Sequence, residues 1–262
     1  MNNILETIAA YAEKRVAAAK AAVPLGEIKS AALQFGRSTK FPFEAALKSD
    51  DIAFICECKK ASPSKGIIAE NFPYLQIAKE YEAAGAAAVS VLTEPRWFLG
   101  NNMYLEEIAA AVSIPCLRKD FVVDEYMIYE AKLLGADAVL LICAILSADD
   151  LRRYIDICDS LGLSALVEAH DEAEISQALG AGARIIGVNN RNLKDFTVDI
   201  ENSRRLRRLV PRDIIFIAES GIKSAEDVEA LRSADVNAVL IGETLMTAPD
   251  KKSMLDGLRG NI

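Results

Sequence analysis

From about residue 52 onward, short apolar runs rich in Val, Ile, Leu and Ala alternate with stretches whose apolar positions recur every three to four residues. The runs end near Cys58, Leu92, Lys119, Cys143, Glu168, Asn189, Glu219 and Gly242, with successive ends 21 to 34 residues apart. Such runs predict β-strands, and the stretches between them, among them 74–84, 124–134, 148–161, 172–179 and 225–231, predict amphipathic helices. The runs lack strict polar alternation, as expected of strands covered on both faces. Glycines at 85, 135, 180 and 182 stand where a helix C-terminus needs a left-handed residue, and Ser224 to Asp227 reads as a capping sequence. Eight strand–helix units in roughly 210 residues predict an α/β fold, a (β/α)₈ barrel of the TIM type. The competing open, doubly wound sheet would carry a G-x-G-x-x-G turn after an early strand, and the chain has none.

The first fifty residues follow another pattern. Residues 3–22 are Ala-rich and amphipathic, with Ile4, Leu5, Ile8, Tyr11 and Ala12 on one side. Pro24 and Gly26 break this helix, and a second helical or irregular piece runs through Phe41-Pro42-Phe43. Residues 1–50 are expected to form a helical extension packed on the barrel and covering one end, too short for a core of its own. Residues 1–262 are thus expected to be one barrel domain.

Composition narrows the function. The 262 residues are 52% hydrophobic and 26% charged, ordinary for a globular chain, with a formal net charge of −8. That balance argues against nucleic acid or an anionic membrane as partner, while local cations could still hold an anionic small molecule. Glu13, Lys14 and Arg15 interrupt any apolar leader, and the longest apolar run, 138–146, is too short to span a bilayer. A cytoplasmic protein is expected. Five scattered cysteines describe no disulfide framework. Cys56 and Cys58 alternate with Glu57 and Lys59, so they face the other side of their strand, and no second Cys/His pair completes a metal site.

The chemistry gathers at strand ends. Glu57 and Lys59 point the same way at the end of the first run and are followed by a Ser62-Pro-Ser-Lys-Gly66 loop. Lys119 ends the third run, Glu168 the fifth, Asn189 the sixth and Glu219 the seventh. In a barrel these positions converge on one mouth, although each alone could simply mark where a strand meets water. Gly221 after the seventh run and Gly242 after the eighth suit a phosphate-binding loop pair. His170 would face outward from the barrel if its strand persisted that far. There is no nucleophile elbow, Walker loop or metal cluster, so acid–base work falls to Lys and Glu.

In order and at these spacings, Glu57–Gly66, Ser90-Val-Leu-Thr-Glu94 with Trp97-Phe98, Leu117-Arg-Lys-Asp-Phe121, Leu166-Val-Glu-Ala169, 186–193, Ala218-Glu-Ser-Gly221 and Leu240-Ile-Gly242 resemble the indole-3-glycerol phosphate synthases over essentially the whole chain. The resemblance implies a carbon–carbon lyase of tryptophan synthesis. It would act without metal or organic cofactor on 1-(2-carboxyphenylamino)-1-deoxyribulose 5-phosphate, closing the indole ring with loss of CO₂ and water. It implies Lys119 as general acid and Lys59 as holder of the substrate carboxylate, with a share in the dehydration. Glu168 would be the base for the later proton removal, and Glu57, Asn189 and Glu219 would orient lysines and hydroxyls. Ser62, Arg191, Ser220, Gly221, Gly242 and Glu243 fall at the phosphate side. Glu243 stands where some members carry a small hydroxyl residue, so a contact there would come from its backbone N–H. Phe98, Phe121, Leu140, Ile142 and Leu193 would enclose the anthranilate ring. A barrel of this kind can stand as a monomer, and the length leaves no room for a second, fused barrel. Two rivals stay open: another phosphate-binding barrel, such as a ketose-forming isomerase, and a barrel that binds a phosphorylated metabolite without turnover.

Overall fold

The computed structural model describes residues 4–35, 40–192 and 196–260. Its ten strands are β1 (Ala53–Cys58), β2 (Ala61–Ser62), β3 (Gly66–Ile67), β4 (Ala88–Leu92), β5 (Cys116–Lys119), β6 (Ala138–Ile142), β7 (Ser164–Ala169), β8 (Ile185–Asn189), β9 (Ile215–Glu219) and β10 (Ala238–Ile241). All but β2 and β3 pair in parallel and close a barrel in the order β1-β10-β9-β8-β7-β6-β5-β4. Closure is made by β1, where Ile55 lies opposite Ala88 of β4 on one side and Leu240 of β10 on the other. The predicted loop from Ser62 to Gly66 is instead the turn of a small antiparallel hairpin, with Ser62 opposite Gly66 and Ala61 opposite Ile67.

The helices are α1 (Ile4–Ala22), α2 (Leu25–Gln34), α3 (Pro42–Leu47), α4 (Tyr74–Ala83), α5 (Asn102–Ala111), α6 (Glu125–Leu133), α7 (Ala148–Leu161), α8 (Glu172–Gly180), α9 (Glu201–Arg207), α10 (Ala225–Arg232), α11 (Glu243–Thr247) and α12 (Lys251–Arg259). Their starts are set locally: Asn101, Asp124, Ser147, Asp171, Ser224 and Asp250 each accept a backbone N–H in the first turn. Each cap of this kind contributes about 1 kcal/mol. Ser224 and Asp227 form the complete capping box expected from the sequence. Gly85, Gly135 and Gly182 adopt positive φ after their helices, whereas Gly180 is the last residue of α8.

Period-two alternation sorts the strand side chains into two layers. Cys56, Cys58, Val89, Val91, Val139 and Leu141 point outward into a core shared with the helices. Ile55, Leu117, Leu140, Leu166, Ile217 and Leu240 fill the barrel itself. All five cysteines are buried, and burial pushes Cys56 up to about 12.

The extension covers both ends of the barrel rather than one. Leu5, Ile8 and Ala12 of α1 join the interior core, and Leu5 and Ile8 reach the cavity at the C-terminal mouth. The α1 helix is pinned there by Arg15, which reaches both oxygens of buried Asp120 at 2.7 and 3.1 Å, and by Lys20, 2.6 Å from Asp124. Phe43 and Leu47 of α3 close the opposite end, clustering with Ala53, Ile185 and Ile215 at the strand starts. Glu44 of that helix pairs with Arg184, just ahead of β8, at 2.8 Å.

Candidate active site

The mouth encloses a cavity of about 760 Å³. Glu57, Lys59, Ser62, Phe98, Lys119, Phe121, Leu140, Ile142, Glu168, Asn189, Arg191, Glu219, Ser220, Gly221, Gly242 and Glu243 all line it. The remaining expected site residue, Leu193, lies outside the described residues.

Glu57 points into the barrel from β1 with its side chain almost wholly buried, and the Lys59 ammonium lies 2.6 Å from its Oε1. Opposite it in register on β4, Ser90 donates to Oε2 at 3.3 Å. Burial alone would raise the Glu57 pKa, but Lys59 and Lys119 outweigh it and hold the carboxyl below its usual range. A Cβ at Gly242, just after β10, would stand 2.6 Å from Glu57 Oε1 and 2.8 Å from Lys59 Nζ, so a side chain there would have to displace the tips of the pair.

Lys119 ends β5 with its ammonium 3.2 Å from Glu219 Oε2 and 3.6 Å from Glu168 Oε2. Burial disfavours that charge, yet Glu219, Glu168 and Glu57 overcome it and the lysine pKa is raised. Burial pushes the Glu219 carboxyl up to about 7, against the pull of Lys119 and with the help of Glu168. Its Oε1 is buried with no hydrogen-bond partner. The arrangement is an ammonium held charged among carboxylates, one of which sits near neutrality, and such a group can both stabilise a developing oxyanion and protonate it.

At the turns after the last strands, Ser220 and Gly221 both take positive φ, turning the chain sharply after β9. Arg191 donates its backbone N–H to Asn189 Oδ1 at 3.0 Å, which fixes the amide at the end of β8. The Glu243 carboxylate is paired, 3.2 Å from Lys65 of the hairpin turn and 3.8 Å from Arg191. On the apolar side, the Phe98 and Phe121 rings lie 6.0 Å apart with planes tilted by 41°.

The structure corrects the sequence expectation for His170. The β7 strand stops at Ala169, and the ring turns back toward the mouth instead of outward, with Nε2 3.4 Å from Glu168 Oε1. Parity held the signal, since residue 170 shares the facing of residue 168 under two-residue alternation. Several supporting residues were also not legible as such. Glu94 accepts the backbone N–H groups of Arg96, Trp97 and Phe98 at 2.7 to 3.0 Å and so shapes the loop that carries Phe98. Ser90 is the lone polar residue in a buried strand, a cue the sequence did carry.

Fold and site together define a class: a (β/α)₈ barrel with a buried lysine–carboxylate cluster at its C-terminal mouth and glycine-bearing turns after the last two strands. The family model of indole-3-glycerol phosphate synthase matches residues 5–258. The chain is 58% identical over 258 residues to the indole-3-glycerol phosphate synthase of Ruminiclostridium cellulolyticum, covering 98% of this chain and 99% of that protein. It is 53% identical to that of Lachnoclostridium phytofermentans, covering 98% of each. Among solved structures, a 3-hexulose-6-phosphate synthase superposes with a TM-score of 0.63 at 12% identity, over 80% of this chain and all of that one, a likeness of fold alone. The chain belongs to the indole-3-glycerol phosphate synthase family.

Proposed function

We propose that this chain is a carboxy-lyase that converts 1-(2-carboxyphenylamino)-1-deoxyribulose 5-phosphate to indole-3-glycerol phosphate, with Lys119 as general acid and Glu168 as base. The observation that carries the reading is the placement of Lys119 within 3.6 Å of both Glu168 and Glu219 in one cavity. As the carboxyl-bearing aromatic carbon attacks the ribulose carbonyl, Lys119 gives its proton to the carbonyl oxygen. Lys59 holds the substrate carboxylate until it leaves as CO₂. Glu168 then takes the ring proton while the hydroxyl departs as water, with Lys59 sharing in its protonation. Glu57, Asn189 and Glu219 orient the two lysines and the sugar hydroxyls. The Phe98–Phe121 wall, with Leu140 and Ile142, suits a flat aromatic ring, and Ser62, Arg191, Ser220, Gly221 and Gly242 suit the phosphate.

The intact Lys/Glu set favours turnover over binding alone, because binding needs no base. Fluorescence of the indole product tests this. Lys119→Ala and Glu168→Ala are each expected to lower kcat by about 10² to 10⁴-fold, and full activity in both would overturn the assignment. A cytoplasmic site of action is part of the same reading, supported by the buried free thiols of Cys56, Cys58, Cys143 and Cys158.

A further inference from the structure

His170 has no part in the reaction as laid out above, yet its surroundings are built with care. Glu174 Oε2 accepts the backbone N–H of His170 at 2.8 Å and lies 3.0 Å from ring Nδ1. Asn202 donates to the His170 carbonyl at 3.1 Å. Glu174 is itself fixed, since its N–H is capped by Asp171 at 2.9 Å. The result is a ring locked at one nitrogen while the other, Nε2, is buried without a hydrogen bond and sits 3.4 Å from Glu168 Oε1. Glu168 therefore has a different basic group at each oxygen: Lys119 near Oε2 and the imidazole near Oε1.

That division matters in time. Lys119 is the only lysine within ion-pair distance of Glu168 among the described residues. Once it has given its proton to the substrate carbonyl it is a neutral amine, and Glu168 loses that counter-charge before its own step arrives. A carboxylate buried to this degree is costly to keep ionised without a cation beside it. We propose that His170, braced by Glu174, is a positioning residue for Glu168, supplying the cation at the oxygen Lys119 does not hold and keeping the base ionised after Lys119 has reacted. This rests on the assignment of Glu168 as the base.

The charged surroundings support an imidazolium. Glu168 faces the ring from β7, Glu174 and Asp171 from α8, and Glu219 acts from β9. Across a side cavity of about 400 Å³ stand Arg191 and Asp199, with Asn189, Asn190 and Asn202, and α1 contributes only Leu5. Burial lowers the His170 pKa, but the bond to Glu174 and the charges of Glu168 and Glu174 reverse this and raise it.

The test is a set of kcat and KM profiles against pH for the parent, His170→Gln, His170→Ala and Glu174→Gln, with thermal midpoints recorded for each. The expected result is a fall in kcat of about tenfold in both His170 variants with KM within about threefold, and an acidic limb of kcat displaced upward by about one pH unit. Glu174→Gln should displace the limb in the same direction by less, and added imidazole should restore part of the kcat of His170→Ala. Unchanged kcat and limb in both His170 variants would overturn the proposal. So would a kcat that falls only in step with the thermal midpoint while the limb stays in place, because a merely structural role predicts that pattern. Glu168→Gln separates the two layers: if it is inactive while His170→Gln matches the parent, the positioning role alone fails, whereas an active Glu168→Gln removes the base itself.

Discussion

Glu57 and Glu219 share the mouth, and their neighbours give them opposite characters. Glu57, between Lys59 and Lys119, is held below its usual range, while Glu219 is pushed up to about 7 because burial outweighs its share of Lys119. The sign of the stability effect follows. Between the unfolded carboxyl value and about 7 the folded chain binds a proton at Glu219 that the unfolded chain has released, so this residue makes stability fall as pH rises through that window. Glu219→Gln carries no such titration. Its urea midpoint is expected to gain on the parent as pH rises from about 4.5 to about 7 and then level off; a constant difference across that range would count against the raised value. At this scale the sequence was most readable where a charged residue ended an apolar run, as at Glu57, Lys119, Glu168 and Glu219. It was least readable for roles that depend on a partner's oxygen or ring nitrogen, as at His170 and Glu94. The Glu243 carboxylate was legible as an oddity near phosphate, but its pairing with Lys65 and Arg191 needed three separate turns brought together.

Among the elements, α1 bears most directly on the site. Asp120 follows Lys119 in sequence, has no side-chain exposure, and receives Arg15 of α1, the hydroxyl of Thr93 and the backbone N–H of Phe121. Arg118, also buried, adds its guanidinium at 3.8 Å and is held in turn by Glu130 at 2.6 Å. A helix far from Lys119 in sequence is in this way tied to the residue next to it. Arg15→Ala leaves Asp120 short of its bidentate partner, and removing one member of a buried pair costs about 3 kcal/mol. The variant is expected to unfold at lower urea and to lose kcat as well, since α1 supplies Leu5 and Ile8 to the cavity wall; loss of neither would show that the helix is a passive cover. The amphipathic face of α1 was readable from its apolar spacing, with Leu5, Ile8 and Ala12 all buried as expected. Its docking place was not, because Arg15 and Asp120 are 105 residues apart and nothing local links them.

For the whole molecule, the two barrel ends divide the labour. The C-terminal mouth gathers the lysines and carboxylates of the candidate site, and the opposite end carries apolar packing and the Glu44–Arg184 pair, with Phe43 fully buried over the strand starts. Phe43→Ala is expected to cost about 3–5 kcal/mol. For a chain of this size that lowers the thermal midpoint by roughly 10 °C, with kcat per folded molecule unchanged; a matching loss of kcat would show that the two ends are coupled. The barrel itself was legible because eight repeats of one pattern leave few other ways to bury all the runs, whereas wrapping of both ends by one short extension has no periodic signature. Closure by β1 against β10 has a further consequence during synthesis. The edge of β1 that will meet Ala238 emerges from the ribosome about 185 residues before its partner, which at 5–20 residues per second is a wait of roughly 10–40 s. For that interval the nascent chain carries an open, apolar strand edge, so the most vulnerable moment for this protein comes before its last strand has been translated.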